Sequence, residues 1–135
     1  MKNVLLLGAT GSIGSSTLNV LRQNKEIFTL KAIALHQNLD IALEIVNEFS
    51  PEHVFISNKD INTDHPIFSS GCKIVTSLED LKLVIQNPAI EIVISAISGF
   101  AGLQSSYWAI EAGKTTLIAN KESIVSACLL YTSPS

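Results

Sequence analysis

Four consecutive aliphatic residues, Val4 to Leu7, run directly into Gly8-Ala9-Thr10-Gly11-Ser12-Ile13-Gly14, and no other feature constrains this 135-residue chain as much. So short a continuous apolar run reads as a central strand covered on both faces, the habit of a parallel sheet. The glycines, spaced three apart, then turn the chain into a helix with Ile13, Thr17, Val20 and Leu21 on one face. Strand, tight glycine turn and helix N-terminus in succession are what a dinucleotide-binding turn requires. Glycine lets the backbone approach a pyrophosphate where a Cβ would clash, and free N–H groups at the positive helix end favour the anion. The spacing is GxxGxxG rather than GxGxxG, a variant associated with several reductase and epimerase families. The competing explanation is a tight turn in which Gly14 merely allows close helix packing.

Strand and helix patterns alternate along the rest of the chain. Phe28 to Leu35 reads as a second strand, followed by a helix marked by Ala42, Ile45, Val46 and Phe49 and stopped at Pro51. Val54 to Ile56 is a third strand; the polar stretch from Ser57 to Gly71 has no readable element; Lys73 to Val75 returns as a short strand. Ser77, with Asp80 three residues on, is a capping signal for a helix through Gln86, which Asn87-Pro88 stops. Ile92 to Ile97 is the strongest strand, and Ser98 to Gly102 is the loop leaving it. Leu103, Tyr107 and Ile110 form a helix face ending at Gly113, and Thr115 to Ala119 is the last strand. This alternation predicts a doubly wound α/β fold, a Rossmann-like parallel sheet with its ligand-binding loops along the carboxyl edge.

Composition narrows the function classes. With 47% apolar and 16% charged residues the chain is no disordered tail. A net charge of −3 supplies no basic field for nucleic acid. No apolar run approaches the roughly 20 residues of a spanning helix, and Val4–Leu7 is too short for a signal core, so no membrane association and a cytoplasmic location are expected. Cys72 and Cys128 form neither a disulfide framework nor a metal-ligand spacing.

The second strand bears on cofactor choice. It ends Ala34-Leu35-His36-Gln37-Asn38, without the carboxylate that would repel a ribose 2′-phosphate, which favours NADP over NAD. His36 and Gln37 are placed to contact that phosphate, though neither is a fixed cation; otherwise they belong to a solvated loop. Asn120-Lys121-Glu122-Ser123 sets an amide, a cation and a carboxylate at the end of the last strand. Its plainer explanation is Asn120 as a helix N-cap with Glu122 in the first turn. His53 and His65 read as surface or turn residues, Tyr107 and Trp108 as packing residues, and Glu44, Glu48, Glu79 and Asp80 as solvated helix faces.

Together, Gly8-Ala9-Thr10-Gly11-Ser12-Ile13-Gly14, Ser98-Gly99-Phe100-Ala101-Gly102-Leu103, Ala112-Gly113-Lys114 and Ala119-Asn120-Lys121-Glu122-Ser123 resemble the 1-deoxy-D-xylulose 5-phosphate reductoisomerases of non-mevalonate isoprenoid biosynthesis. The resemblance runs from residue 2 to about 127 and implies the family's N-terminal NADPH-binding domain, with residues 128–135 a non-native tail to a truncated chain. It implies an NADP-dependent oxidoreductase that rearranges the carbon skeleton of a sugar phosphate and then reduces the resulting aldehyde. On matching positions, Thr10, Gly11, Ser12 and Ile13 would hold the cofactor phosphates, and Asn38 would lie near the adenosine ribose. Asn120 and Glu122 would sit on the nicotinamide side, and Lys121 would reach the substrate. The family's divalent metal (Mg, Mn or Co), its Asp-Ser-Glu motif and its catalytic residues belong to a later part of the full-length enzyme, so residues 1–127 alone would be inactive. A homodimer is implied for the full-length protein. The family often has a small or basic pair before Asn38, where this chain has His36-Gln37. Other readings of the turn are a different NADP-dependent reductase and a non-catalytic dinucleotide sensor.

Overall fold

The computed structural model describes residues 1–97 and 100–118. Six strands, β1 (Lys2–Leu7), β2 (Phe28–Leu35), β3 (His53–Ile56), β4 (Lys73–Val75), β5 (Ile92–Ser95) and β6 (Thr115–Ile118), form one sheet in the order β4-β3-β2-β1-β5-β6. Every neighbouring pair is parallel. The chain winds outward from β1 to β4 in one direction and resumes with β5 on the other side of β1. The reversal therefore lies between β1 and β5, where Val4 to Leu7 pair with Ile92 to Ser95. Ligands of open α/β sheets bind outside the carboxyl ends of the strands at such a switch point.

Helices α1 (Ser12–Gln23), α2 (Leu39–Phe49), α3 (Leu78–Gln86) and α4 (Phe100–Glu111) cover the two faces. Val4, Leu5, Leu6 and Leu7 are all fully buried, as a run without polar alternation requires. Val4 and Leu6 join Leu18 and Leu21 of α1 and Ile45 and Val46 of α2 on one face. Leu5 and Leu7 join Leu81, Val84 and Ile85 of α3 and Ala109 of α4 on the other. Burying each such side chain is worth about 1.5–3 kcal/mol, so the sheet is held by both layers at once.

Short polar side chains set the helix boundaries. Asn38 Oδ1 accepts from the Ile41 N–H at 3.2 Å at the start of α2, and Ser77 Oγ accepts from the Asp80 N–H at 3.1 Å at the start of α3. Ser50 ends α2 in the left-handed region (φ 51°), immediately before Pro51. Lys114 Nζ donates to the carbonyls of Asn87 and Ile90 at 2.8 and 2.7 Å, tying the start of β6 to the turn before β5.

Several boundaries differ from the sequence reading. The stretch 57–71 contains a short 3₁₀ turn, Pro66–Ser69, which drives Ile67 fully into the core; His65 Nδ1 caps it from the preceding position. Strand β5 stops at Ser95, two residues before Ile97, and α4 begins at Phe100, so Phe100 to Gly102 are helical rather than loop. The largest difference is the face of α4. Leu103, Tyr107 and Ile110 keep helical spacing but point outward, 67%, 62% and 64% exposed, while Ser105, Ser106 and Ala109 are buried. Small residues let α4 lie close to the sheet, and this proximity outweighs the hydrophobicity of the other face. Tyr107 is thus no packing residue, whereas the half-buried Trp108 packs against the α3 side and receives Lys82 Nζ 5.6 Å from its ring centroid. In α1, likewise, Ile13 is exposed and the buried face is Gly14, Thr17, Leu18 and Leu21. Thr17 satisfies its buried hydroxyl by donating to the Ile13 carbonyl at 2.9 Å.

Candidate binding cleft

Each glycine of the turn has a distinct physical task. Gly8 adopts φ +84°, and a Cβ there would meet the Ala96 carbonyl carbon at 2.9 Å, so the turn lies directly against the chain leaving β5. Its N–H and that of Ala9 donate to the Ala34 carbonyl at 2.8 and 3.0 Å, and Ala96 N–H donates to the Leu7 carbonyl at 2.8 Å. The turn is therefore pinned to β2 on one side and to the end of β5 on the other. At Gly14 a Cβ would stand 2.3 Å from the Gly8 carbonyl oxygen and 2.7 Å from the Ala9 carbonyl, so α1 rests on the turn backbone itself.

Gly11 is different. A Cβ there would meet nothing nearer than the Gly8 carbonyl oxygen at 4.0 Å, and its φ of −82° is open to any residue. Neither strain nor internal packing calls for glycine at this position. It occupies the N-cap of α1 without a side chain to cap the helix, and the first turn carries no acid. The first-turn N–H groups are thus left to an outside partner, the arrangement that receives a phosphate.

Gly8, Thr10 and Gly11 form one wall of a cleft of about 490 Å³; Leu78 and Leu81 of α3 and Gln104 and Ser105 of α4 form the other. Its floor is Ala34, Phe55, Ala96 and Ile97, apolar surface suited to a flat ring. His36 stands at the β2 end of the cleft, its Nδ1 2.7 Å from Ser57 Oγ. Among the described lining residues His36 is the sole ionisable group, and none is a carboxylate.

The structure separates residues that are adjacent in sequence. Gln37 and Asn38 do not line this cleft; with Asp40, Asn58, Asn62 and His65 they line a neighbouring polar groove of about 440 Å³. There Gln37 Oε1 accepts from Asn58 Nδ2 at 2.7 Å, while Asn38 is engaged in capping α2. Of the four turn residues, Thr10 and Gly11 line the cleft; Ser12 and Ile13 are exposed on the first turn of α1 and would contribute through their N–H groups. Asn120, Lys121 and Glu122 lie outside the described residues, as does the Ser98-Gly99 part of the loop after β5. Sequence reasoning missed Phe55, Ser57, Leu78, Leu81, Gln104 and Ser105. The parallel-sheet rule, which collects residues just past each strand end, would have picked out Ser57.

Elsewhere, charged and thiol groups serve the scaffold. Arg22 forks onto Glu48, its Nη2 donating to Oε1 at 2.6 Å, and joins α1 to α2; this hydrogen bond holds the Glu48 carboxyl below the ordinary carboxylate range. The backbone N–H of Asn3 does the same for Glu91. His65 Nε2 lies 2.8 Å from Asp40 Oδ1, so His65 links α2 to the 3₁₀ turn rather than standing alone. Cys72 Sγ is 3.0 Å from Ser70 Oγ. Among the described residues no three His, Cys, Asp or Glu group as metal ligands, and no helix is long and apolar enough to cross a membrane.

Known proteins share this frame. The family model for 1-deoxy-D-xylulose 5-phosphate reductoisomerase matches residues 4–128. A curated relative of that name from Bacillus cereus (strain AH187) is 43% identical over 127 residues, covering 94% of this chain and 33% of the relative. One from Clostridium perfringens (strain 13 / Type A) is 38% identical over 131 residues, covering 94% and 34%. The chain thus spans about one third of the length of the curated relatives it matches. Among solved structures, a DOX-P reductoisomerase in complex with magnesium superposes with TM-score 0.80 at 35% identity, over 94% of this chain and 32% of that one. The Zymomonas mobilis enzyme in complex with NADPH gives 0.76 at 28% identity, over 96% and 35%. With sequence and fold agreeing over nearly all of its length, the chain belongs to the 1-deoxy-D-xylulose 5-phosphate reductoisomerase family.

Proposed function

We propose that residues 1–127 are an NADPH-binding domain serving the conversion of 1-deoxy-D-xylulose 5-phosphate to 2-C-methyl-D-erythritol 4-phosphate. The observation that carries this reading is Gly11: a glycine with no internal need to be one, on an uncapped helix N-terminus, at the switch point of the sheet. The open space there fits a pyrophosphate lying against backbone N–H groups, and the cleft beyond fits the rest of a dinucleotide. NADPH, when bound, supplies hydride for reduction of the rearranged aldehyde.

The chain's own residues bind and orient. Thr10, Gly11, Ser12 and Ile13 receive the phosphates; the apolar floor around Phe55 and Ile97 excludes water from the ring faces. Asn38, whose side chain caps α2 beside the cleft, is proposed for the adenosine ribose, and Asn120 and Glu122 for the nicotinamide side. Lys121 donates to the oxyanion or hydroxyls of the sugar phosphate, a role its ammonium suits. One solved complex of a relative contains magnesium, another contains magnesium together with NADPH and fosmidomycin, and a third is described with NADPH. Among the described residues no three His, Cys, Asp or Glu group as metal ligands; the metal is assigned in this proposal to a later part of the whole protein, and a cytoplasmic homodimer is part of the same proposal.

Calorimetric titration of the chain with NADPH tests the reading. Binding that Gly11→Ala weakens is expected; binding that ignores this change contradicts it. In the whole protein, Lys121→Ala should weaken use of 1-deoxy-D-xylulose 5-phosphate while NADPH affinity is largely kept; equal loss of both would refute the substrate role.

A further inference from the structure

We propose that Lys114 is a positioning residue: from the amino edge of the sheet it sets the register of β6, and with it the point at which the chain enters Asn120-Lys121-Glu122. The inference rests on the roles proposed for those three residues above. β6 has a weakness that the other strands lack. Its burial runs exposed, half-buried, half-buried, exposed from Thr115 to Ile118, so it is the one strand of the six without a fully buried side chain. Among the described strands only β5 pairs with it. A strand's register is specified by the side chains it must bury, and a slip of one residue sends each of them to the opposite face. In β6 such a slip would exchange Leu117 for Ile118, two side chains of equal size, neither fully buried.

Lys114 supplies the missing register signal through its backbone and its side chain together. Its N–H donates to the Ala109 carbonyl and that of Gly113 to the Ile110 carbonyl, both at 3.0 Å, with Gly113 at φ +77°. This pair of bonds around a left-handed glycine is a Schellman helix end, so the backbone of Lys114 is fixed relative to α4. Its carbonyl accepts from Thr116 Oγ1 at 3.2 Å, and the next N–H, of Thr115, donates to the Glu91 carbonyl at 3.1 Å. The half-buried side chain then crosses to the turn before β5, where Nζ donates to the Asn87 and Ile90 carbonyls at 2.8 and 2.7 Å. Asn87 is also the C-cap of α3, a helix end that favours a cation. One ammonium thus joins the end of α3 and the approach to β5 to the start of β6. The ladder between β5 and β6 opens at Ile92 and Thr115, directly past this junction. Slipping β6 by one residue would carry Lys114 about 3.3 Å from the carbonyls it holds and would displace the chain leaving β6 by as much. An error of about 1 Å in a reacting geometry already costs about 100-fold.

Turnover of 1-deoxy-D-xylulose 5-phosphate by the whole protein, measured alongside the dissociation constant for NADPH, tests this. Lys114→Met keeps an apolar stem and removes the donors, so kcat/KM should fall at least about tenfold. The phosphate turn is tied to β2 and β5 through Gly8, Ala9 and Ala96 rather than to β6. NADPH affinity should therefore stay within about twofold, as for a distant and independent site. Lys114→Arg, which keeps a cation with several N–H donors, should recover most of the lost turnover. An unchanged kcat/KM in Lys114→Met overturns the inference, and so does an equal fall in NADPH affinity, the mark of a purely structural role. Lys121→Ala separates this inference from the reading beneath it. If Lys121→Ala leaves turnover intact, the substrate role fails and this inference with it; impaired Lys121→Ala beside normal Lys114→Met overturns this inference alone. Where Lys114→Met does not fold, Lys114→Gln, whose amide keeps two donors but no charge, is followed by amide hydrogen exchange in the 135-residue chain. Thr116 to Ile118 should lose protection while Val4 to Leu7 keep theirs, and equal protection in variant and parent contradicts the proposal.

Discussion

Substituting alanine at Gly14 and at Gly11 separates fold from function within one turn. At Gly14 a Cβ would lie 2.3 Å from the Gly8 oxygen and 2.7 Å from the Ala9 carbonyl. To reach even 3.0 Å, α1 must lift from the turn by about 0.7 Å, and because the neighbours are backbone no rotamer change relieves it. Overpacking of this kind costs about 1–3 kcal/mol, and a backbone clash belongs at the upper end. Alanine recovers about 1 kcal/mol of helix propensity. The net expectation for Gly14→Ala is a loss of about 2 kcal/mol, lowering Tm by roughly 5–10 °C. Gly11→Ala meets no atom within 4.0 Å except the Gly8 oxygen at that limit, and its φ of −82° is ordinary. Its stability should stay within about 0.5 kcal/mol of the parent. Its NADPH affinity should fall at least about tenfold, because the methyl group separates phosphate from charge-assisted N–H donors. Urea melts followed by circular dichroism, together with calorimetric titration, measure both quantities. A Gly14→Ala protein as stable as its parent, or a Gly11→Ala protein that binds undiminished, would refute the division of labour.

Other perturbations follow from particular contacts. Ser106 Oγ is buried without a hydrogen-bond partner, so Ser106→Ala should stabilise the chain by about 1 kcal/mol in a urea melt. Glu48 has its carboxyl held low by Arg22, so this pair adds stability above the ordinary carboxylate value and loses it as pH falls through the depressed one. Glu48→Gln should therefore cost up to about 1 kcal/mol at pH 7, and the difference from the parent should vanish at acid pH. On α4, Leu103→Gln and Tyr107→Gln should leave stability within about 0.5 kcal/mol, because both side chains are exposed. Leu81→Ala, buried on α3, should instead cost about 2–5 kcal/mol.

Most of the frame was legible because its signals are local. The unbroken run Val4–Leu7, the glycine turn, the Ser77 cap and the Pro51 stop each specify their element without help from distant residues. Legibility failed where tertiary packing decides. Leu103, Tyr107 and Ile110 have the spacing of a buried face, yet closeness to the sheet selects the small Ser105, Ser106 and Ala109. The 3₁₀ turn at Pro66–Ser69 escaped because one apolar residue, Ile67, sits among polar neighbours. At the cleft, the turn was readable, but its opposite wall comes from α3 and α4, which only the doubled winding brings across. The split of His36 from Gln37 depends on the pleat continuing past the last strand residue, and no composition rule shows that.

In the proposed complex a dinucleotide lies across Gly11 with its phosphates on the first turn of α1. Amide resonances of the ¹⁵N-labelled chain, recorded while NADPH is added, test it most directly. The largest shifts should fall on Gly8 to Gly14, with His36, Ser57 and Gln104 following and the groove around Asn62 and His65 unmoved. Shifts confined to that second groove, or none at saturating NADPH, would contradict it.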